Sequence, residues 1–333
     1  ILAAGLAGWR ESEGNDCAHN ALIRRSAFTE AAGLPVLSGP PPFGGHVLSH
    51  DFVEAALIRR AGYSVRIADD ITGSYEEAPA SLIDLTTRDR RWCQGNLQHG
   101  RILFARGLHW VSRFHLFNGI AAYASSLLWL LLIVAGLALS LQVQFIRPNY
   151  FQDAGPDGFP VFRAIDAELA LRVFILTTVV LFAPKLFGFL TVVLDRDARR
   201  GFGGGWRLFA STLFETAVSA LIAPIAMVVQ SWTIVAILAG QDSGWKPQRR
   251  ENGSVVMRDL VRFHRWHVVF GLVMAGLAYA ISPAALAWLS PAVVGLLAAI
   301  PVSGITASPR IGTRLRRVGL LHTPAETVRP AIA

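Results

Sequence analysis

Charge is what this sequence has least of. Only 16% of its 333 residues are Asp, Glu, Lys or Arg, where soluble domains usually carry about 25%. With 53% hydrophobic residues and a mean hydropathy of +0.43, that deficit excludes three classes for the chain as a whole: a disordered chain, a basic nucleic-acid-binding domain and an ordinary soluble enzyme. Cysteine is also scarce. Cys17 and Cys93 cannot build a disulfide framework, which suits a reducing, cytoplasmic face. His19, His46, His50 and His99 are scattered without metal-ligand spacing, so no zinc site is expected. No internal repeat or low-complexity tract stands out. The chain starts at Ile1, without Met or signal peptide and inside what reads as a domain, so it is expected to be part of a longer protein.

What is present divides near Phe114. Residues 1–113 hold most of the acids and both cysteines. Beyond them, residues 114–146 carry no Asp, Glu, Lys or Arg. A bilayer core of about 30 Å needs roughly 20 apolar helical residues, so a span is expected over 118–141. A second is expected over 169–194, interrupted by Arg172 and Pro184-Lys185. The run 207–239 contains Glu215 and Pro224. The run 266–309 carries none of the four charged types and would be roughly 66 Å long as one helix. It must therefore fold back, at the Ser-Pro pairs 282–283 or 290–291, giving spans 266–285 and 287–307. Lys and Arg counts place the Arg-rich segments 195–207 and 240–265, and the tail from Arg310, on the cytoplasmic side. Both flanks of 207–239 are then inside, which predicts a tight hairpin there, broken at Pro224, and six crossings in all. Lys185 and Glu215 lie in or near the apolar runs. They are functional candidates by cost in lipid, or a structural ion pair between two helices.

The polar half reads as mixed α/β. Residues 19–28 have the rhythm of a strand turning into a helix. Residues 50–62 predict a helix, with Phe52, Ala55, Ala56 and Arg59 on one face and Gly62 as a C-cap. Residues 63–68 alternate like a strand, and an acidic loop follows. Residues 97–117 mix Leu, Ile, Phe and Trp with Arg and His, the pattern of an amphipathic helix in the membrane interface. The tail, 310–333, reads as cytoplasmic.

Three places carry chemistry. Ser49-His50-Asp51 precedes a helix, after a Gly-rich loop. It is either a simple N-cap or a rigidly held carboxylate, Asp51, able to take a proton from a sugar hydroxyl. Arg88-Asp89-Arg90-Arg91-Trp92 offers guanidiniums that match the oxygens of a diphosphate and an indole face for a sugar ring; alternatively it is a basic segment held to anionic lipid. The loop with Trp245, Gln248 and Arg249 is either a positive-inside loop or a cover for a nucleotide diphosphate.

In this order the motifs GNDCAHNALIRR, GGHVLSHDFVEAALIRRAG, SYEEAP and RDRRWCQGNLQHGR resemble the processive membrane glycosyltransferases of family 2, the group of cellulose, chitin and hyaluronan synthases. The wording is closest to the branch that makes osmoregulated periplasmic glucans. The resemblance implies that residues 1–96 are the C-terminal part of a GT-A domain, followed by a multi-pass helical domain over 118–309 in a bacterial inner membrane. It implies inverting transfer of glucose from UDP-glucose to a growing β-1,2-glucan, with a divalent metal, Mg or Mn, held upstream. Inner-membrane lipid and periplasmic glucan-processing proteins are the further partners implied. Asp51 falls on the Asp of the family's Thr-Glu-Asp, the general base, with Ser49 and His50 in the two preceding positions. Arg91 and Trp92 fall on the Arg and Trp of Gln-x-x-Arg-Trp, whose Gln position is Arg88; Arg90 and Arg249 join the donor-binding expectation. The segment from Cys17 to Arg25 matches a substrate-lining stretch loosely. The family's early uridine-binding Asp residues and its metal-binding Asp-x-Asp are expected upstream of Ile1, so the donor-binding half is expected before this part, which is expected to be inactive alone. The rival readings are another polysaccharide synthase, a transporter or channel using Lys185 and Glu215, and a non-catalytic membrane scaffold.

Overall fold

A computed structural model describes residues 12–15, 20–31, 33–68, 71, 79–145, 167–242 and 255–324. Among these residues the chain is helical: α1 (Arg25–Ala31), α2 (His50–Arg60), α3 (Leu82–Ile102), α4 (Trp110–Phe145), α5 (Ala167–Leu194), α6 (Arg196–Gly201), α7 (Gly205–Leu238), α8 (Met257–Ile281), α9 (Pro283–Leu297), α10 (Ala299–Thr306) and α11 (Pro309–Val318).

The polar half is built on α2 and α3. Helix α2 forms where the sequence predicts it and ends before Gly62, whose φ of 91° suits glycine. Helix α3 is capped by Ser81, whose Oγ accepts from the Asp84 amide at 3.1 Å. The expected strand over 63–68 keeps its alternation: Tyr63, Val65 and Ile67 are half-buried, with exposed residues between them. Its backbone pairing shrinks to one parallel bridge, Glu13 with Val65. Alternation decides which side chains turn inward, but a strand also needs a continuous backbone partner. Among the described residues only 12–14 supply one.

The interfacial helix expected over 97–117 does not form as one element. Its first part is the last turns of α3, and a turn with Gly107 at φ 80° separates it from α4. Ile102, Leu108 and Leu116 pack with Val47, Val53, Ala56 and Leu57 into a core. Part of the apolar set read as membrane-facing is used against α2, while Phe104, Trp110, Phe114 and Phe117 stay exposed.

Among the described residues three helices are long and apolar enough to cross a membrane: α4, Leu171–Leu194 of α5, and α7. A fourth is added if α9 and α10, bent by 55°, count as one span. The hairpin expected at 207–239 is absent. Helix α7 runs unbroken through Pro224 for 34 residues, so it crosses at most once, and the six-crossing count does not stand. A proline removes one backbone hydrogen bond, and a buried helix compensates by packing. Pro224 is buried and sits against Gly295 of α9, where a Cβ would come within 2.4 Å of its ring. In the last apolar run the chain turns at Ser282, whose Oγ caps α9 through the Ala285 amide at 3.0 Å. Pro291 lies inside α9, and the second bend falls at Ala298 instead.

Two clusters join the helices. Leu137, Met274, Ala278, Ala292, Val293 and Leu296 hold α4, α8 and α9 together. Cys93, Ile234 and Ile237, with Phe43, Leu97, Tyr123 and Leu127 against them, fasten α3 to α4 and α7. Lys185 of α5 donates to Glu215 and, at 3.0 Å, to Thr216 of α7; Ser219 also donates to Glu215 at 2.6 Å. The two ionisable residues form an interhelical ion pair.

Candidate active site

The start of α2 is locked onto the middle of α3. The ideal Cβ position on Gly95 lies 2.5 Å from the Ser49 nitrogen and 2.6 Å from its Cβ, so only glycine permits this approach. One turn along α3, the Nε2–H of His99 donates to the Ser49 carbonyl at 3.0 Å. Gln98 accepts from the Leu48 amide at 3.0 Å and donates to the carbonyls of Pro42 and His46. Gln94 donates to Pro42 at 3.0 Å and to Asp242 at 2.8 Å. Two glutamines one turn apart thus hold the Gly-rich loop against α3. From below, the Asn15 amide donates to the Phe52 carbonyl at 2.9 Å. Asp51 rides on this clamped helix end, about a quarter exposed, with His50 Nδ1 at 3.2 Å from its Oδ1 and 3.3 Å from Glu54. Ser49 sits in the N-cap position but makes no side-chain capping bond. Its buried backbone is used for the junction with α3, so the simple N-cap reading fails.

Arg91 and Trp92 lie one turn before Gly95 on the same helix. Arg88 places its guanidinium 4.4 Å from the Trp92 ring centroid, a cation–π stack across one turn. The Arg at the family's Gln position therefore covers one indole face. The Arg91 Nε is buried without a hydrogen-bond partner among the described residues. Such a group is costly unless something supplies an acceptor. Asp89 points the other way, accepting from the Tyr123 hydroxyl at 2.9 Å and from Gln230 at 3.0 Å. Ser126 in turn donates to Gln230. This chain ties the Arg-rich turn of α3 to α4 and α7.

Burial pushes the Cys93 thiol up to about 12, with the Asp89 charge adding to the effect, so Cys93 is packing and not a nucleophile. Burial also pulls His99 below the usual histidine range, opposed by its bond to Ser49 and by the Asp51 charge. A histidine held neutral in the fold but free to protonate when unfolded contributes stability above its unfolded pKa, about 6.5. That contribution is lost as pH falls below this value towards the lower folded pKa. The thermal midpoint of the chain in detergent should therefore drop as pH is lowered from 7 to 5, and His99→Gln should flatten the dependence. An unchanged slope in the variant would remove His99 from the account.

The structure brings Ser49–Asp51 and Arg88–Trp92 onto one junction. Trp245, Gln248 and Arg249 lie outside the described residues, as do Cys17 and the SYEEA stretch. Asp242, at the foot of that loop, reaches α3 through Gln94. The residues that make the junction, Asn15, Gln94, Gly95, Gln98 and His99, lie inside the quoted motifs, which assign them no role. The available signal was four polar residues, Gln94, Asn96, Gln98 and His99, crowded into a helix whose neighbours are apolar; all four are buried. Among the described residues no three His, Cys, Asp or Glu side chains are placed to hold a metal. The literal Asp-x-Asp at Asp195–Asp197 is a helix cap, with Asp195 accepting from the amides of Asp197 and Ala198. These residues do not fit a divalent metal.

The model of glycosyl transferase family group 2 matches residues 17–191, from before the junction into α5. The chain belongs to this family. Among curated relatives, a "glucans biosynthesis glucosyltransferase H" of Vibrio cholerae serotype O1 is 53% identical over 332 residues, covering 100% of this chain and 46% of the relative. One of Shewanella oneidensis is 54% identical over 326 residues, 98% of this chain and 45% of the relative. The chain thus spans a little under half the length of these relatives. No solved structure matches it. Membership of a glycosyltransferase family makes the α2–α3 junction the candidate site for sugar transfer. The family match also runs across the apolar boundary near Phe114, so the site and the first membrane helices belong to one family unit.

Proposed function

We propose that the full-length protein carrying this chain is an inverting glucosyltransferase. It uses UDP-glucose to build the β-1,2-linked backbone of osmoregulated periplasmic glucans at a bacterial inner membrane. One observation supports the reading most: the Gly95–Ser49 contact, which carries Asp51 and the Arg91-Trp92 turn on a single rigid junction beside the apolar helices. The naming of the relatives as glucan-biosynthesis glucosyltransferases supports the product class.

In this mechanism Asp51 takes the proton from the acceptor hydroxyl as that oxygen attacks the glucose anomeric carbon. The bond to UDP breaks from the opposite side, which inverts the anomeric centre. Arg91, with Arg88, Arg90 and Arg249, carries the charge of the departing diphosphate. Trp92 offers its ring to the acceptor sugar on the face Arg88 does not cover, and Trp245 and Gln248 are assigned to the donor. The catalytic half faces the cytoplasm, where the nucleotide sugar is, and the glucan passes toward periplasmic processing proteins.

The test is turnover of labelled UDP-glucose by the full-length protein in membrane vesicles, followed by linkage analysis of the polymer. The expected product is a β-1,2-linked glucan with release of UDP. Another linkage would assign the protein to a different synthase of the family. Solute flux in vesicles without UDP-glucose, and no polymer, would overturn the enzymatic reading.

A further inference from the structure

Helix α11 and the α5–α7 connection are far apart in sequence but meet in the fold. After α11 the chain turns at Gly319, with φ 77°, directly against Arg207: a Cβ there would come within 3.0 Å of the Arg207 Nε. The Leu321 amide then donates to the Ser211 hydroxyl at 2.9 Å, and Pro324 lies on Gly201, 3.1 Å from where its Cβ would be. Two basic segments are thereby joined. One carries Arg196, Arg199, Arg200 and Arg207, the other Arg310, Arg314, Arg316 and Arg317.

The only acids in these two segments are Asp195 and Asp197. Asp195 is spent on capping α6, and Asp197 lies 3.7 Å from Arg200. Among the described residues no acid pairs with the four Arg of α11. Like charges brought together this way repel one another unless an anion neutralises them. The surroundings say where that anion comes from. Helix α5 ends here at Leu194, 80% exposed, and α7 begins with Trp206, 76% exposed and stacked on Phe209. Exposed Trp at the end of an apolar helix is the signature of a membrane–water boundary. On α11, Ile311, Leu315 and Val318 recur at i, i+4 and i+7, while all four Arg are exposed, the arrangement of a helix lying in the interface plane.

We infer that α11 and the α6–α7 turn together form a binding platform for anionic phospholipid headgroups, two Arg clusters closing on the lipid phosphodiesters at one end of the apolar helices. The platform is remote from the Asp51 junction and does not depend on the glucosyltransferase reading. It ties the C-terminal helix to the bilayer surface and orders the α5–α7 turn around the same lipids.

The test uses the whole chain in a neutral detergent, titrated with short-chain phosphatidylglycerol or phosphatidylcholine and read by native mass spectrometry. Each basic residue near an anionic surface is worth about fivefold in affinity. Replacing Arg314, Arg316 and Arg317 by Gln should therefore weaken phosphatidylglycerol binding on the order of a hundredfold. The Arg196→Gln, Arg199→Gln, Arg200→Gln variant should show a similar loss, because both segments hold the same lipids. Lys in place of the three α11 Arg should keep most of the binding, which separates charge from damage to the fold. Equal binding of the two lipids, or unchanged binding in both Gln variants, would overturn the inference. So would displacement of the lipid by inorganic phosphate at equal concentration, which would make the platform a site for free phosphate.

Discussion

Asp51→Asn in the full-length protein is expected to lower glucosyl transfer by about 10²–10⁴-fold, with UDP binding and the thermal midpoint unchanged. The reason is geometric as much as chemical. Asp51 sits in the first turn of α2, whose start is held by His99 on the Ser49 carbonyl and by Gln98 on the Leu48 amide. Asn keeps the size of the side chain and leaves these bonds in place. It removes only the ability to take a proton. Glu54 provides the control: it is as close to His50 as Asp51 is, but one turn further along α2. Glu54→Gln should leave the rate within a few-fold. If Asp51→Asn still turns over while Glu54→Gln does not, the proton acceptor has been misassigned by one turn.

The second large effect is expected at Gly95. A Cβ there would lie 2.5 Å from the Ser49 backbone nitrogen and 2.6 Å from the Ser49 Cβ. Neither atom can rotate away, so α2 and α3 must separate. Overpacking of a tight contact costs about 1–3 kcal/mol. Gly95→Val should therefore lower stability by that order and abolish transfer, because the carboxylate and the Arg91-Trp92 turn move apart. Gly100, on the same helix, has nothing within 4 Å of its Cβ position. Gly100→Ala should instead stabilise the chain by up to about 1 kcal/mol and leave transfer intact. Wild-type activity in Gly95→Val would mean that the α2–α3 junction does not set the site.

Part of this architecture is legible in the sequence. Helix α2 and its Gly62 stop were readable because apolar spacing and a left-handed cap are local properties. So were the apolar helices, whose lengths follow from runs without charge. The hairpin expected at 207–239 does not form, because loop charge and one proline do not outweigh a continuous apolar run that packs along its length. Pro224 ends a helix only where nothing packs on the gap, and here Gly295 of α9 fills it. The helix expected over 97–117 is divided by the turn at Gly107, and three of its apolar residues, Ile102, Leu108 and Leu116, pack on α2.

Sequence alone carries the two-part character of the protein, its charge-poor helical runs, and the residue types at the proposed site: a carboxylate at a helix start and an Arg-Arg-Trp turn. Those are local matters of composition, spacing and run length. Only the tertiary structure decided that Ser49 rests on Gly95, that Asp89 binds Tyr123 and Gln230, and that Arg207 meets the turn after α11. Each of these joins segments dozens to over a hundred residues apart. The +8 formal charge illustrates the difference. In the sequence it is a sum. In the fold Arg88, Arg90 and Arg91 lie on the helix that meets the start of α2, while the Arg residues of α6, α7 and α11 gather at one end of the apolar helices, because packing, not sequence order, sets which charges share a surface.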